Sequence, residues 1–277
     1  MTHMRLISRA LGLAVLIGSI QAGCAPASIT AAHPRSVSAS PERPLRLPAR
    51  LPHRQVKVPI LMYHRLHSAP EAAQHSLTVH PADFARQMKW LKRHGYRAIT
   101  QRELYDALFH RRPLGPKPVL ITFDDGYSDV FHYARPVLSR LGMPATAYVI
   151  SGRTNHGDRV FLTWRRLRML ERAGIEIGSH TVTHAGLTSL SDRDALRELV
   201  HSRRAFERGL GHPVQWISYP FGDYDSRIEQ LARRAGYVLG VTTEHGTVQS
   251  ARRPLALKRL RILDSTGVAG LAAMLRG

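Results

Sequence analysis

Two pairs of side chains that can bind a metal ion or transfer a proton each follow a short apolar run. Asp124 and Asp125 come directly after residues 119–123, a continuous apolar stretch rich in β-branched and aromatic residues that is typical of a buried parallel strand. His180 and His184 follow a second strand-like run, and their four-residue spacing can bring two imidazoles to one metal. Since the carboxyl ends of parallel strands share one rim, we expect these side chains to lie together there.

Each pair also has an ordinary structural explanation. Asp-Asp-Gly at residues 124–126 is common turn chemistry. With 16 His among 277 residues, one H-x-x-x-H spacing is expected by chance. Two adjacent carboxylates repel one another and lose hydration on burial, so a folded chain tolerates them beside a cation or in water. Their common position after strand ends favours a site over a turn.

Three motifs together resemble those of the polysaccharide deacetylases of the NodB-homology class, carbohydrate esterase family 4. They are T-F-D-D-G at residues 122–126, S-H-T-V-T-H at residues 179–184 and Y-P-F-G at residues 219–222. V-P-I-L-M-Y-H at residues 58–64 narrows the resemblance to the branch that contains exported poly-N-acetylglucosamine deacetylases. The similarity runs from about residue 58 to the C-terminus, and it implies hydrolysis of N-acetyl groups on an N-acetylglucosamine-containing polysaccharide of the envelope or the extracellular space.

The resemblance implies a division of roles among the two pairs. Asp125, His180 and His184 would bind a divalent metal ion, with zinc as the default and cobalt or nickel as alternatives. Asp124 would be the general base, which is physically consistent because one carboxylate on the cation leaves the other free to accept a proton. The same ligand set also suits non-haem iron oxygenases, which would not need the second aspartate.

The third motif departs from the commoner family form. The resemblance places Tyr219 and Phe221 at the substrate, with the backbone N–H of Phe221 donating to the oxyanion, although a strand-ending turn also explains these residues. In the family an arginine two residues before the proline helps to orient the base, whereas Ser218 occupies that position here. The last predicted strand offers three candidates that could replace it, and the sequence does not separate them: Arg259, Arg261 and Asp264.

The general acid is also missing from its usual place. The resemblance implies a histidine in a C-terminal L-x-H motif, yet the last histidine of the chain is His245. Because the first and last strands of a closed barrel can be neighbours, a histidine near the start of the domain can reach the same position. We therefore predict that His64, at the end of the first strand, is the acid. A hydrogen-bonded structural role for His64 and a competing role for His67 remain alternatives.

The remaining sequence predicts the elements that position these residues. Apolar runs of strand length alternate with amphipathic, capped stretches of helix length, which is the pattern of a parallel sheet with right-handed crossovers. This alternation, like the resemblance, predicts an α/β fold, a distorted (β/α) barrel of about seven parallel strands. Pro136 predicts a break or kink in a helix over residues 128–141.

The first 56 residues differ in composition from the rest. Arg5 and Arg9 precede an uncharged apolar run, residues 10–20, that is followed by small residues and Cys24. As a helix this run would span about 16 Å against about 30 Å for a bilayer core, so residues 1–24 are predicted to be a signal peptide ending at a lipoprotein-type cysteine. Gln21 departs from the apolar residue preferred there, and cleavage within residues 25–32 with simple secretion is the alternative.

The sequence thus predicts three segments and an exported protein. Residues 1–24 are the leader, the proline-rich residues 25–56 are a tether, and residues 57–277 are the deacetylase domain. We expect a periplasmic or outer-membrane location through a lipid on Cys24, or else secretion. Cys24 is the only cysteine, which excludes an intramolecular disulfide and a multi-cysteine metal site.

The chain carries a formal net charge of +20. Its basic residues are spread over leader, tether and predicted helices, and zinc-finger, RNP-like and basic-region motifs are absent, which argues against nucleic acid as a partner. A polyanionic envelope surface fits the charge better.

The main rival to an enzyme is a non-catalytic glycan-binding module of the same fold, which would typically have lost Asp124 or a metal ligand. Poly-N-acetylglucosamine, peptidoglycan and other acetylated glycans all remain candidate substrates.

Overall fold

Short apolar runs separated by capped helices form the elements of the computed structural model, which describes residues 44–68, 76–154 and 159–276. The predicted leader and Cys24 lie outside the described residues. The strands are β1 (Gln55–Lys57), β2 (Ile60–Tyr63), β3 (Arg65–Leu66), β4 (Thr78–Val79), β5 (Arg97–Ala98), β6 (Pro118–Phe123), β7 (Ala145–Val149), β8 (Ile175–Ser179), β9 (Trp216–Ser218), β10 (Leu239–His245), β11 (Val248–Ser250) and β12 (Leu257–Arg261). The α-helices are α1 (Pro81–Arg93), α2 (Gln101–Phe109), α3 (Arg135–Leu141), α4 (Trp164–Arg172), α5 (Asp192–Leu210), α6 (Ser226–Arg234) and α7 (Gly267–Arg276).

Seven parallel strands close into a ring. Their order is β2, β12, β10, β9, β8, β7 and β6, and the pairing of β6 with β2 closes the circle. The short β5 pairs with Pro118 and Val119 of β6 and adds no member to the ring. The predicted distorted (β/α) barrel is confirmed.

Helices cover the outside of the ring, so its strands are buried on both faces and read as continuous apolar runs. Phe84 of α1, Leu138 of α3, Leu167 of α4 and Phe206 of α5 are fully buried in the cluster that joins helices to ring. The predicted break at Pro136 is also confirmed, because a π-helical turn over Val130–Ala134 precedes α3. Proline has no N–H to donate, and the wider turn keeps its ring clear of the preceding carbonyl groups.

Helix α2 closes the barrel at the N-terminal ends of the ring strands, a face that we call the floor. Its apolar residues Leu104 and Leu108 pack with Leu120 of β6 and Val241 of β10. Thr100 is the N-cap of this helix, and its side chain forms a capping box with Glu103. The floor is therefore sealed by apolar contacts, and the open end of the barrel is the opposite one.

The packed part of the chain begins before the predicted domain boundary at residue 57. Leu45 exchanges two hydrogen bonds with the buried side chain of Gln215, at 2.6 and 2.8 Å, and the Tyr105 hydroxyl donates to the Arg46 carbonyl at 2.6 Å. Leu45 and Leu47 pack against the floor cluster, which gives this stretch of the predicted tether an apolar face. In the described ranges, every helix is too short or too polar to cross a bilayer.

Candidate active site

The predicted site residues lie at the C-terminal ends of the ring strands, a face that we call the rim. The strand ends bring together residues from four elements, as expected for a parallel barrel. Asp124 and Asp125 follow β6, His180 and His184 follow β8, Phe221 follows β9, and His64 follows β2. The sequence-predicted residues from four strand ends thus share one end of the barrel.

Asp125, His180 and His184 converge on one point. The Nε2 atoms of His180 and His184 lie 3.4 and 3.3 Å from Asp125 Oδ1, and the three ligand atoms are all within 4.8 Å of one another. The described part of the chain contains one such group of three. Its size matches the coordination sphere of a single divalent ion.

The tautomer of His180 provides a test of whether a cation fits. His180 Nδ1 lies 2.7 Å from the carbonyl oxygen of Ser218, which can only accept, so Nδ1 carries the proton. In the neutral ring Nε2 then keeps its lone pair and directs it towards Asp125. A lone pair and a carboxylate oxygen facing one another are the donor set of a metal site, and the backbone carbonyl is the outer partner that orients such a ligand.

The backbone around this site adopts a conformation that side chains other than glycine rarely take. Four rim residues have positive φ: Asp125 (70°), Thr181 (64°), His184 (67°) and Phe221 (60°). Each costs on the order of 1–2 kcal/mol, and such strain persists where surrounding contacts enforce it. The concentration of strained residues at one end of the barrel is the pattern of a functional site.

Side-chain hydrogen bonds hold the strained histidine loop. Glu198 of α5 accepts from the backbone N–H groups of Val182 and Thr183 at 2.8 and 2.9 Å, and the Thr181 hydroxyl accepts from the N–H of His184 at 3.1 Å. Glu198 was missed in the sequence analysis, since nothing in the pattern of α5 sets it apart from other solvated helix positions. It anchors the loop that presents both histidines.

Two motif glycines are required by their surroundings. A Cβ on Gly126, which has φ of 81°, would lie 2.6 Å from a Val149 methyl group. A Cβ on Gly222, at φ 73°, would collide with the side chain of Thr243. Close packing therefore fixes the last residue of both T-F-D-D-G and Y-P-F-G.

Arg259 of β12, one of the three candidates for the missing arginine of the third motif, contacts Asp124. Its Nη1 and Nη2 donate to Asp124 Oδ1 and Oδ2 at 2.8 and 2.7 Å, a bidentate pair in which both side chains are buried. The Arg259 Nε donates to the Thr242 carbonyl at 2.7 Å, and Nη2 also reaches Ser218 Oγ at 3.1 Å. Ser218 in turn donates to Asp124 at 3.2 Å, so the small residue in the third motif completes the same network. Arg261 is exposed at the strand end.

This pairing keeps Asp124 ionised. Burial alone would raise the pKa of Asp124, but the charge and hydrogen bonds of Arg259 outweigh burial and hold that pKa below its ordinary value. An ionised carboxylate beside a metal site can accept a proton from water at neutral pH. Asp124 is thus in the protonation state that a base requires.

His64 belongs to the same electrostatic cluster. Burial lowers the pKa of His64 below its ordinary value, against the raising influence of Asp124 and Asp125. Its Nδ1 is buried without a hydrogen-bond partner among the residues that the structure describes, which does not support a hydrogen-bonded structural role. His67 follows β3, which pairs with β4 outside the ring. A neutral His64 would need to take up a proton during the reaction before donating one.

Tyr219 and Phe221 occupy opposite environments. The Tyr219 side chain is fully buried, and its ring stacks on Tyr224 beneath α5 and α6, so it does not reach the open rim. Alternation along β9 would have indicated this, because Ser218 faces the interior of the ring and the next residue faces the helices. Phe221 is 70% exposed, and its ring lies edge-on to that of His184 with centroids 4.5 Å apart. The Phe221 side chain is therefore open to a molecule at the rim, whereas the Tyr219 side chain is not.

Comparison with known proteins agrees with this geometry. A family model described as polysaccharide deacetylase matches residues 111–240. The Bacillus subtilis protein YxkH, whose name assigns it to the polysaccharide deacetylases, is 36% identical over 197 residues, covering 71% of this chain and 69% of that protein. The poly-beta-1,6-N-acetyl-D-glucosamine N-deacetylase of Staphylococcus aureus is 24% identical over 200 residues, 68% of each chain.

A solved structure extends the match to the fold. The Streptococcus pyogenes deacetylase PplD, solved in complex with acetate, superposes with a TM-score of 0.75 at 34% identity, covering 80% of this chain and 99% of that one. The chain therefore belongs to the polysaccharide deacetylase family.

Proposed function

We propose that this chain is a metal-dependent N-deacetylase of an N-acetylglucosamine-containing polysaccharide at the cell envelope. The observation that carries the proposal is the Asp125, His180 and His184 cluster beside Asp124, which Arg259 holds ionised. A divalent ion bound there, zinc by default and cobalt or nickel as alternatives, would supply a Lewis acid that lowers the pKa of water and polarises the acetyl carbonyl. Family membership and the second, arginine-clamped carboxylate favour hydrolysis over oxygenase chemistry.

The residues of the chain would supply the proton transfers and the contacts with the substrate. Asp124 accepts the proton of the attacking water at a carboxylate oxygen, and the backbone N–H of Phe221 donates to the acetyl oxygen as negative charge develops on it. The C–N bond breaks to give acetate and a free amine, and His64, once it has taken up a proton, donates that proton to the departing nitrogen. The exposed ring of Phe221 offers an apolar surface to the face of a sugar.

The substrate class is inferred from relatives. The S. aureus relative is named for poly-beta-1,6-N-acetyl-D-glucosamine, which favours a polymer of N-acetylglucosamine here. Peptidoglycan is the alternative. A non-catalytic glycan-binding module is disfavoured because the base and all three ligand residues are present and assembled.

The test is release of acetate by the full chain from a panel of N-acetylated glycans, with metal-stripped protein as the control. We expect release from poly-N-acetylglucosamine, loss of activity on stripping and recovery on adding zinc. Activity that survives exhaustive chelation, with metal analysis showing none bound, would rule out the metal-dependent mechanism.

We further propose that the protein is exported and held at a periplasmic or outer-membrane surface by a lipid on Cys24, with secretion as the alternative. The support is the sequence of residues 1–24. A fatty-acid probe supplied to cells should label the wild-type chain and leave Cys24→Ala unlabelled. A mature N-terminus within residues 25–32 would instead establish secretion.

A further inference from the structure

The floor of the barrel carries an open basic groove on the side opposite to the active site. The groove has a volume of about 390 Å³ and lies between β1 and the loop over residues 110–117 that joins α2 to β6. Four of its lining residues are cationic, namely Arg54, Lys57, Arg111 and Arg112, and none of the described residues that line it is acidic. An anion is the ligand that such a lining would attract.

Few carboxylates offset these charges. Arg112 lies 3.5 Å from Asp106, which is shared with Arg102 at 3.4 Å and His110 at 3.0 Å. Within the described ranges, Lys57 and Arg111 form no ion pair, and both are exposed. The groove thus keeps two uncompensated cations and a third that is 73% exposed.

The position of the groove indicates which anion it meets. Residues 44–54 cross the floor and lead into β1, so the N-terminal part of the chain joins the barrel at this face. Arg46 and Arg50 are exposed on this segment and add to the charge. If Cys24 is lipidated, the anchor lies on the N-terminal side of this segment, 20 positions before Pro44 in the sequence.

We propose that the floor groove binds the phosphate groups of an anionic membrane surface, so that the rim and its active site face away from the bilayer. The proposal rests on the envelope location in the proposed function, but not on the reaction. Guanidinium groups pair well with phosphate oxygens, and basic clusters next to a membrane anchor are attracted to anionic headgroups. Docking by the floor would present the open end of the barrel to polysaccharide outside the membrane.

The test is binding of the full chain carrying Cys24→Ala, which removes only the thiol, to lipid vesicles. Vesicles of phosphatidylcholine are compared with vesicles in which phosphatidylglycerol replaces one quarter of the lipid. Each basic residue near the surface contributes about a fivefold change in affinity, or about 1 kcal/mol. We expect Lys57→Gln/Arg111→Gln/Arg112→Gln to weaken binding to the anionic vesicles by about 10²-fold and to leave binding to neutral vesicles unchanged.

A charge-matched variant controls for net charge. Arg140→Gln/Arg172→Gln/Arg204→Gln removes three exposed arginines from α3, α4 and α5, away from the groove. An equal loss in both triple variants, or no loss in the groove variant, would overturn the proposal. Equally tight, groove-dependent binding of inorganic phosphate would also overturn it, because the groove would then hold a single small anion.

Acetate release from a soluble N-acetylglucosamine oligomer should be unchanged in both variants, which separates this test from that of the proposed function.

Orientation is measured with one environment-sensitive fluorophore on a single introduced cysteine. Gln55→Cys places it in the groove, and Val160→Cys places it on the exposed rim. Anionic vesicles should shift the emission of the groove label to shorter wavelength and leave the rim label unchanged. A shift of the rim label alone would reverse the proposed orientation.

Discussion

The rim of this barrel contains a buried carboxylate and the floor a partly buried one, and the two have opposite surroundings. Asp124 at the rim faces a guanidinium, and its pKa lies below the ordinary value. Glu176, at the start of β8, accepts from the backbone N–H of Gln101 at 2.7 Å and from the Thr146 hydroxyl at 3.2 Å, and burial raises its pKa to about 7. At Glu176 the neutral hydrogen-bond donors do not offset the effect of burial on the pKa, whereas at Asp124 the charge of Arg259 does.

The two ends of the barrel thus differ in what surrounds their carboxylates. At the rim, a buried carboxylate pairs with a buried guanidinium at the open end of the barrel. At the floor, apolar residues of α2 seal the interior beside one carboxylate of raised pKa, and the basic residues of the groove lie on the outer surface. Substitutions at the rim and at Glu176 test whether the two carboxylates have different roles in activity and stability.

The largest effect is expected at the metal ligands. His180→Ala removes an imidazole that metal binding requires, so it should abolish both metal content and deacetylation. His201→Ala, an exposed histidine on α5, is the matched control and should retain both. Metal analysis of the two purified variants decides the outcome, and full metal occupancy in His180→Ala would contradict the assignment.

Asp124→Asn should retain the metal but lose turnover by about 10² to 10⁴, which is the usual contribution of a positioned base. The amide keeps the shape of the side chain while it removes the proton acceptor. Turnover and bound metal are measured on the same sample. If the metal is lost instead, the roles of Asp124 and Asp125 have been exchanged.

His64→Ala should retain metal and fold while kcat on an N-acetyl glycan falls by about 10² to 10⁴. The loss should be much smaller on an aryl acetate, whose leaving group needs no proton. Comparison of kcat for the two substrates isolates the acid role. An equal loss on both would mean that His64 orients the site or the substrate and is not the acid.

Arg259→Met removes the cation and leaves the Asp124 charge buried and unpaired. The free energy of unfolding should fall by about 3–5 kcal/mol, and the pKa of Asp124 should rise. Arg261→Met, two residues along the same strand and exposed, should change stability by no more than about 0.5 kcal/mol. Denaturant titration of both variants provides the measurement, and similar small losses would show that the Arg259 pair does not stabilise the fold.

The smallest effect on activity is expected at the floor, where Glu176→Gln should leave kcat unchanged. The raised pKa means that the folded state binds this proton more tightly than the unfolded state, so Glu176 should make unfolding easier as pH rises from about 4.5 to about 7. The slope is about 1 kcal/mol per pH unit, and it should be absent in Glu176→Gln. Asp124 has the opposite sign, since its contribution is lost only as pH falls below the ordinary pKa of aspartate.

The sequence predicted the parts of the site that depend on local pattern. Strand-length apolar runs and the residues directly after them placed Asp124, Asp125, His180 and His184 on one rim, because in a parallel barrel the end of a strand fixes its position. Arg259 and Arg261 could not be separated, since strand alternation puts both on the same face and pattern does not give depth in the barrel. The contact of Glu176 with Gln101 spans 75 positions and depends on how α2 crosses the floor, which no local pattern encodes.

The bond between Asp124 and Arg259 joins positions 135 residues apart in the chain. A polypeptide that emerges from its N-terminus presents Asp124 long before β12 exists, so the base spends the early part of folding without its guanidinium. In the folded protein β12 lies between β10 and β2, so the strand that completes the ring is also the strand that carries Arg259. Closure of the ring and ionic pairing of Asp124 therefore depend on the same strand. A chain that stops before β12 would carry the three motifs yet lack the partner of Asp124.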